Sequence, residues 1–98
     1  MKTKVIFRKR PSGQIIALFP EVPYDVYGKY CSTFEDNNRH SGADAKNVIA
    51  QTEPATLEEA AKIVDKLASF GYELEIITRT PVNAAEARKE YALTPVLL

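Results

Sequence analysis

Residues 56–80 read TLEEAAKIVDKLASFGYELEIITRT, and the change of period inside this stretch decides the fold. At about 100° per residue, Leu57, Ala60, Ala61, Val64, Leu67 and Ala68 fall within one arc of about 120°, with Ile63 and Phe70 widening it along one flank. Glu58, Glu59, Lys62, Asp65, Lys66 and Ser69 fill the remainder, the split of a helix with one side on a sheet and the other in water. Thr56 and Glu59, three residues on, form a capping box. Glu58 and Glu59 suit the positive end of the helix dipole, and Gly71 supplies the left-handed residue that commonly ends a helix. From Tyr72 the period becomes 2. Tyr72, Leu74, Ile76 and Thr78 face one way and Glu73, Glu75, Ile77 and Arg79 the other, until Pro81, which cannot extend a central ladder. A helix joined to a strand by one glycine folds back on the sheet that contains the strand.

Working outward, residues 3–9 alternate, with Val5 and Phe7 on one face and Lys4, Ile6 and Arg8 on the other, as in a half-buried strand. Arg10-Pro11-Ser12-Gly13 is a turn. Residues 14–19 are apolar on both faces, the pattern of a central strand, so the two runs make a hairpin. Residues 20–29 read as irregular, 30–35 as a third strand, 36–46 as a polar loop and 47–52 as a short fourth strand. Helix formers in 82–91 allow a short second helix, and 93–98 is an apolar tail broken by Pro95.

The expected fold is α+β: one domain spanning 1–98, with a core over 3–80 and an extension over 81–98. It has two layers, a four- to five-stranded, mostly antiparallel sheet with the 56–70 helix packed on one face, and a short C-terminal helix. Val5, Phe7, Ala17, Phe19, Leu57, Ala60, Val64, Leu67, Leu74 and Ile76 are the expected core. Ile6 and Ile77 fall on the opposite face and need a cover, from segment 20–46 or from a second subunit.

Ninety-eight residues make one domain. Thirteen basic and thirteen acidic residues cancel, so no global field steers nucleic acid or membrane toward the chain. No apolar run approaches the roughly 20 residues that span a bilayer, so no membrane partner is expected. Met1-Lys2-Thr3-Lys4 leads into a strand pattern without the apolar core of a signal peptide. Cys31 is the single cysteine, which excludes an internal disulfide and fits a cytoplasmic location. Pro11-Ser12-Gly13 lacks the glycine spacing and following helix of a phosphate loop, so no cofactor is expected.

The densest polar stretch holds Glu35, Asp36, Arg39, Asp44 and the only histidine, His40. A histidine oriented by a carboxylate is a general-base candidate. Asp36, His40 and Asp44 match no metal-ligand spacing, so no metal site is assigned. Cys31 lacks a flanking feature that would lower its pKa and reads as a small apolar residue on the third strand. Lys4, Arg8, Lys9 and Arg10, upstream of Tyr24, Tyr27 and Tyr30, are the candidate nucleic-acid contacts, since cations beside aromatics hold single strands; a solvated strand face is the plainer reading.

Val5-Ile6-Phe7-Arg8 and Ile15-Ile16-Ala17-Leu18-Phe19-Pro20-Glu21, with Cys31-Ser32, His40-Ser41-Gly42-Ala43-Asp44, Val48-Ile49, Pro54-Ala55-Thr56 and Gly71-Tyr72, resemble a family of small proteins of bacteria, phages and mobile elements that has no assigned activity. The likeness covers residues 4 to about 80. That family carries a histidine-glycine-alanine-aspartate stretch like 40–44, usually preceded by more glycine and glutamine than Asn37-Asn38-Arg39 supplies. It implies a biological setting and no mechanism.

Three functions follow as expectations. The first is a small non-enzymatic binding or accessory module acting through protein contacts, with Tyr24, Tyr27, Arg39, His40 and Asp44 as its surface and a homodimer among its assemblies. The second is a nucleic-acid binder using the basic hairpin and the tyrosines. The third is a small enzyme centred on His40. The first is preferred because no catalytic constellation is present, the charges balance, and Ile6, Ile77 and the 93–98 tail are candidates for exposure. Its surface is placed on segment 21–46 because that stretch, read as one long connector, far exceeds the usual connection of about 4–6 residues.

Overall fold

In the computed structural model, which describes residues 2–93, the sheet is built outward from the hairpin of β1 (Thr3–Lys9) and β2 (Ile15–Pro23). Arg10 N–H donates to Gln14 O, and Gly13, at φ 91°, donates back to Arg10 O, which closes the turn. The pairing is antiparallel, with Phe7 opposite Ala17. β3 (Cys31–Glu35) pairs antiparallel with β2, and β4 (His40–Ala43) with β3. On the other side β1 meets β5 (Glu53–Pro54) antiparallel at its C-terminal end and β6 (Leu74–Ile76) parallel at its N-terminal end. The order is β4-β3-β2-β1-β5, with β6 also on β1.

Three helices complete an α+β fold: α1 (Ala45–Gln51), α2 (Leu57–Ser69) and α3 (Ala84–Leu93). Both halves of the Thr56–Glu59 capping box are formed. At the other end Gly71 N–H donates to Ala68 O and Tyr72 N–H to Leu67 O, with Gly71 at φ 96°, the paired bonds of a Schellman motif. Ala60, Ile63 and Leu67 of α2 are buried on Val5, Phe7, Ile15, Ala17, Phe19 and Phe34, with Val64 and Leu74 packed at the margin. The buried stripe therefore runs through Ile63, the flank of the apolar arc, and Ala61 and Ala68 are exposed. Leu57 and Ile76, expected in the core, are 64% and 46% exposed. Leu57 is the first residue of α2, ahead of the part that crosses the sheet, and β6 is a three-residue edge with no strand beyond it.

The opposite face holds a second buried cluster: Ile6, Ile16, Leu18, Cys31 and Ala45, with Val48, Ile49 and Ile77 against it. Its cover is α1, which overlaps segment 20–46 at Ala45 and Lys46. Residues 47–51 are thus helix, not strand, with Thr52 as the C-cap. Ala45, Val48 and Ile49 follow the i, i+3, i+4 spacing of one helix face, and Asp44 caps the helix by accepting from Lys46 N–H. α3 packs along β2, and its Arg88 lies near enough to Cys31 for its charge to act on the thiol. The two layers expected are present, and these helices add a third.

Two further boundaries differ from expectation. β2 continues through Pro20 to Pro23, its register shifting between Phe19 and Pro23. Residues 36–46 contain β4, because 36–39 is a tight turn with Asn38 at φ 68°. Segment 21–46 is consequently two strands and two short connections, which removes the connector-length argument. The strand expected over 72–80 is reduced to Leu74–Ile76. Of the tail 93–98, all but Leu93 lies outside the described residues.

Candidate functional site

β4 lies at the end of the sheet with one long edge unpaired. Along it His40 pairs with Phe34 and Gly42 with Ser32. Glu35 N–H donates to Arg39 O, which fixes Glu35–Arg39, Thr33–Ser41 and Cys31–Ala43 as the pairs bonded toward β3. By the alternation of an antiparallel ladder, the peptide groups of His40 and Gly42 point to the open edge.

The His40 ring stands edge-on to Phe34, at 4.8 Å between centroids, and Phe34 also meets Phe70 edge-on at 5.9 Å. His40 thus sits on the α2 side, beside the end of that helix. Lys66 Nζ of α2 donates to Asn38 Oδ1 and ties the β3–β4 turn to the same helix. Tyr24 lies over Gly42, where a Cβ would fall 2.2 Å from the ring. Glycine is required there by the approach of the tyrosine, not by a positive φ.

Between β2 and β3 the loop 24–30 is tied at its base. Tyr24 N–H donates to Tyr30 O, and Tyr30 N–H to Asp25 Oδ1, a bond that holds the Asp25 carboxyl below its usual pKa. Gly28, at φ 70°, lies buried against α3, 3.0 Å from the Arg88 backbone for an added Cβ. Arg88 clamps this contact, donating from Nε to Gly28 O at 3.0 Å and from Nη1 to Pro20 O at 2.8 Å. At the tip, Val26 and Tyr27 are each 81% exposed.

The five candidate binding residues therefore divide. Tyr24 and His40 share one face of β4. Arg39 and Asp44 flank the strand at its two ends, both exposed. Tyr27 stands apart on the 24–30 tip. Asp44 also has a structural duty as the cap of α1.

The cationic candidates are dispersed. Arg8 is buried and donates from Nε to Thr52 Oγ1 at 2.9 Å and from Nη2 to Ile49 O at 3.0 Å and Thr52 O at 2.6 Å, so it closes the C-terminus of α1. Lys4 pairs with Glu21 at 3.4 Å, Lys9 with Glu59 at 2.7 Å, and Arg10 with Glu35 at 3.2 Å. They do not form one cationic face. Cys31 is buried, and desolvation pushes its thiol up from its ordinary value, away from the thiolate a nucleophile requires.

Sequence reasoning missed Arg8 as a helix clamp, Arg88 as the tie to the 24–30 loop, and Phe70 as the neighbour of the ring that His40 meets. Gly28 and the 45/48/49 spacing were the available signals. Among the described residues no group of three or more histidine, cysteine or acidic side chains could hold a metal, and no helix is long and apolar enough to cross a membrane. No family model, curated protein or solved structure matches the chain.

Proposed function

We propose that the chain is a small non-enzymatic binding module that acts through protein contacts in the cytoplasm, in the phage or mobile-element setting its sequence likeness implies. The observation that carries this reading is the exposed aromatic surface beside β4. Tyr24, 58% exposed, and His40 share one face of β4, Phe70, 56% exposed, meets the Phe34 ring that His40 also meets, and Tyr27, 81% exposed, stands apart on the 24–30 tip. Aromatic side chains with polar tips supply contact area at low entropic cost and dominate protein interfaces. The loop that presents Tyr27 is held by Asp25 and by the Arg88 clamp, so little ordering remains to be done on binding. His40 meets a phenyl ring rather than a carboxylate, which suits a contact residue better than a general base.

The test is capture from the native host with wild-type protein, Tyr27→Ala and His40→Ala in parallel. A polypeptide retained by wild type and lost from both variants, at unchanged melting temperature, supports the reading. Capture that is indifferent to both substitutions overturns it. Retention on DNA or RNA that falls steeply with salt would replace it with the nucleic-acid reading.

A further inference from the structure

We infer that β4 is a self-pairing edge, through which two copies of the chain join antiparallel into one continuous sheet. The paired edge takes up Tyr24 and His40 of the surface proposed above and leaves Tyr27 outside it. Three observations point to a second copy as the occupant.

The first is the contrast between the sheet's margins. The edge of β1 is covered by β5, which carries Pro54, and by β6. β4 reads His-Ser-Gly-Ala and lacks the lysine, proline or bulge that usually blunts an edge. Its outward peptide groups belong to His40 and Gly42, so pairing about Ser41 sets His40 against Gly42 of the second copy, and Gly42 against that copy's His40. Each such pair exchanges two ladder bonds.

The second is shape. In this register each His40 ring comes beside the second copy's Gly42, the position over which Tyr24 lies. The half-exposed tyrosine and the exposed imidazole then cover each other across the two-fold axis.

The third is charge. Arg39 at one end of β4 is exposed and makes no side-chain hydrogen bond or ion pair with another described residue. Asp44 at the other end is exposed and has one carboxylate oxygen bonded to Lys46 N–H. Pairing about Ser41 places Arg39 opposite Ala43 of the second copy, one residue from its Asp44, within reach of a guanidinium. Two-fold symmetry forms this pair twice. A parallel arrangement would instead set Arg39 beside Arg39.

Sedimentation velocity of the full chain, from micromolar to near-millimolar, tests the inference. The expected result is a concentration-dependent rise from 10.9 kDa to about twice that mass. His40→Pro removes an outward N–H and leaves the bonds to β3 intact. Arg39→Glu sets acid against Asp44 from an exposed turn, and it carries the test if the proline variant does not fold. Each variant should remain monomeric throughout the range, and raising the salt should weaken association of the wild type. A wild-type chain that stays monomeric at every concentration overturns the inference, as does Arg39→Glu protein that associates as tightly as wild type.

Discussion

On one face of the sheet, α2 lays Ala60, Ile63 and Leu67 on the side chains of β1 and β2, and the buried part of the contact is apolar. On the other face α1 offers Ala45, Val48 and Ile49, and its C-terminus is gripped by the buried Arg8 guanidinium. α3 is fastened in a related way, through Arg88 to the carbonyls of Pro20 and Gly28. The difference follows from length. α2 has thirteen residues, enough for a full stripe, a box at one end and a Schellman motif at the other. α1 has seven, well below the roughly 12–15 at which an isolated helix becomes even marginal. A short helix with three apolar contacts needs its orphan carbonyls closed by a strong donor, and Arg8 on β1 supplies one. One face is closed by periodicity and the other by cations placed on backbone.

The largest effect belongs to the apolar face. Leu67→Ala should destabilise the domain by about 2–5 kcal/mol in urea unfolding, as for other fully buried leucines, because Leu67 has no exposed surface. Leu57→Ala, on the same helix but 64% exposed, should stay within about 0.5 kcal/mol. Equal losses at the two positions would mean that the stripe is not centred on Ile63, and the account of this face would fail.

Arg8→Met comes next. It keeps the aliphatic stem and deletes three hydrogen bonds, two of them to carbonyls of the α1 terminus. Bonds to a charged donor contribute about 1.5–3 kcal/mol net, so a loss near 2–3 kcal/mol is expected. Arg8→Lys should not restore it, since one ammonium cannot reproduce the planar fork. The loss should be local. Amide hydrogen exchange should accelerate over 45–52 and remain slow in α2. Uniform acceleration across both helices would show that the two faces are not closed separately.

The same contrast explains what could be read in advance. α2 was legible because its signals are local: a period, a cap three residues from its partner, a terminal glycine. β1 and β2 were legible because β2 is apolar on both sides. Residues 47–52 read as a strand because Val48 and Ile49 are β-branched and six residues are too few for a period to assert itself. The deciding contacts of α1, to Arg8, lie 41 and 44 positions away in the chain. β4 reads as loop because its residues are small and polar, and only the turn at Asn38 turns them back along β3. Of the five candidate binding residues, Tyr24 and His40 share one face of β4. The reason they meet, a glycine at 42 beneath the tyrosine ring, is a packing fact that composition does not carry.

The smallest effect concerns the ion pair that joins α2 to β1, and it too separates the faces. Lys9 Nζ lies 2.7 Å from Glu59 Oε2, while Glu59 Oε1 accepts from Thr56 N–H. The bond from Lys9, followed by the one from Thr56, lowers the Glu59 pKa from 4.5 to about 2. A folded-state value below the unfolded one means that the stabilisation is fully present above pH 4.5 and is lost as pH falls toward about 2. Both side chains are about one-third exposed, so solvent and salt keep the effect small. The melting temperature of wild type should therefore fall more steeply with acid in that window than that of Glu59→Gln, and the gap should narrow as salt is raised. Arg8 grips carbonyls and a hydroxyl, which do not titrate there, so Arg8→Met should lower the whole curve without changing its acid slope. If Glu59→Gln leaves the slope unchanged, the pair does not hold α2 in solution, and the capping box with the apolar stripe is sufficient to seat the helix.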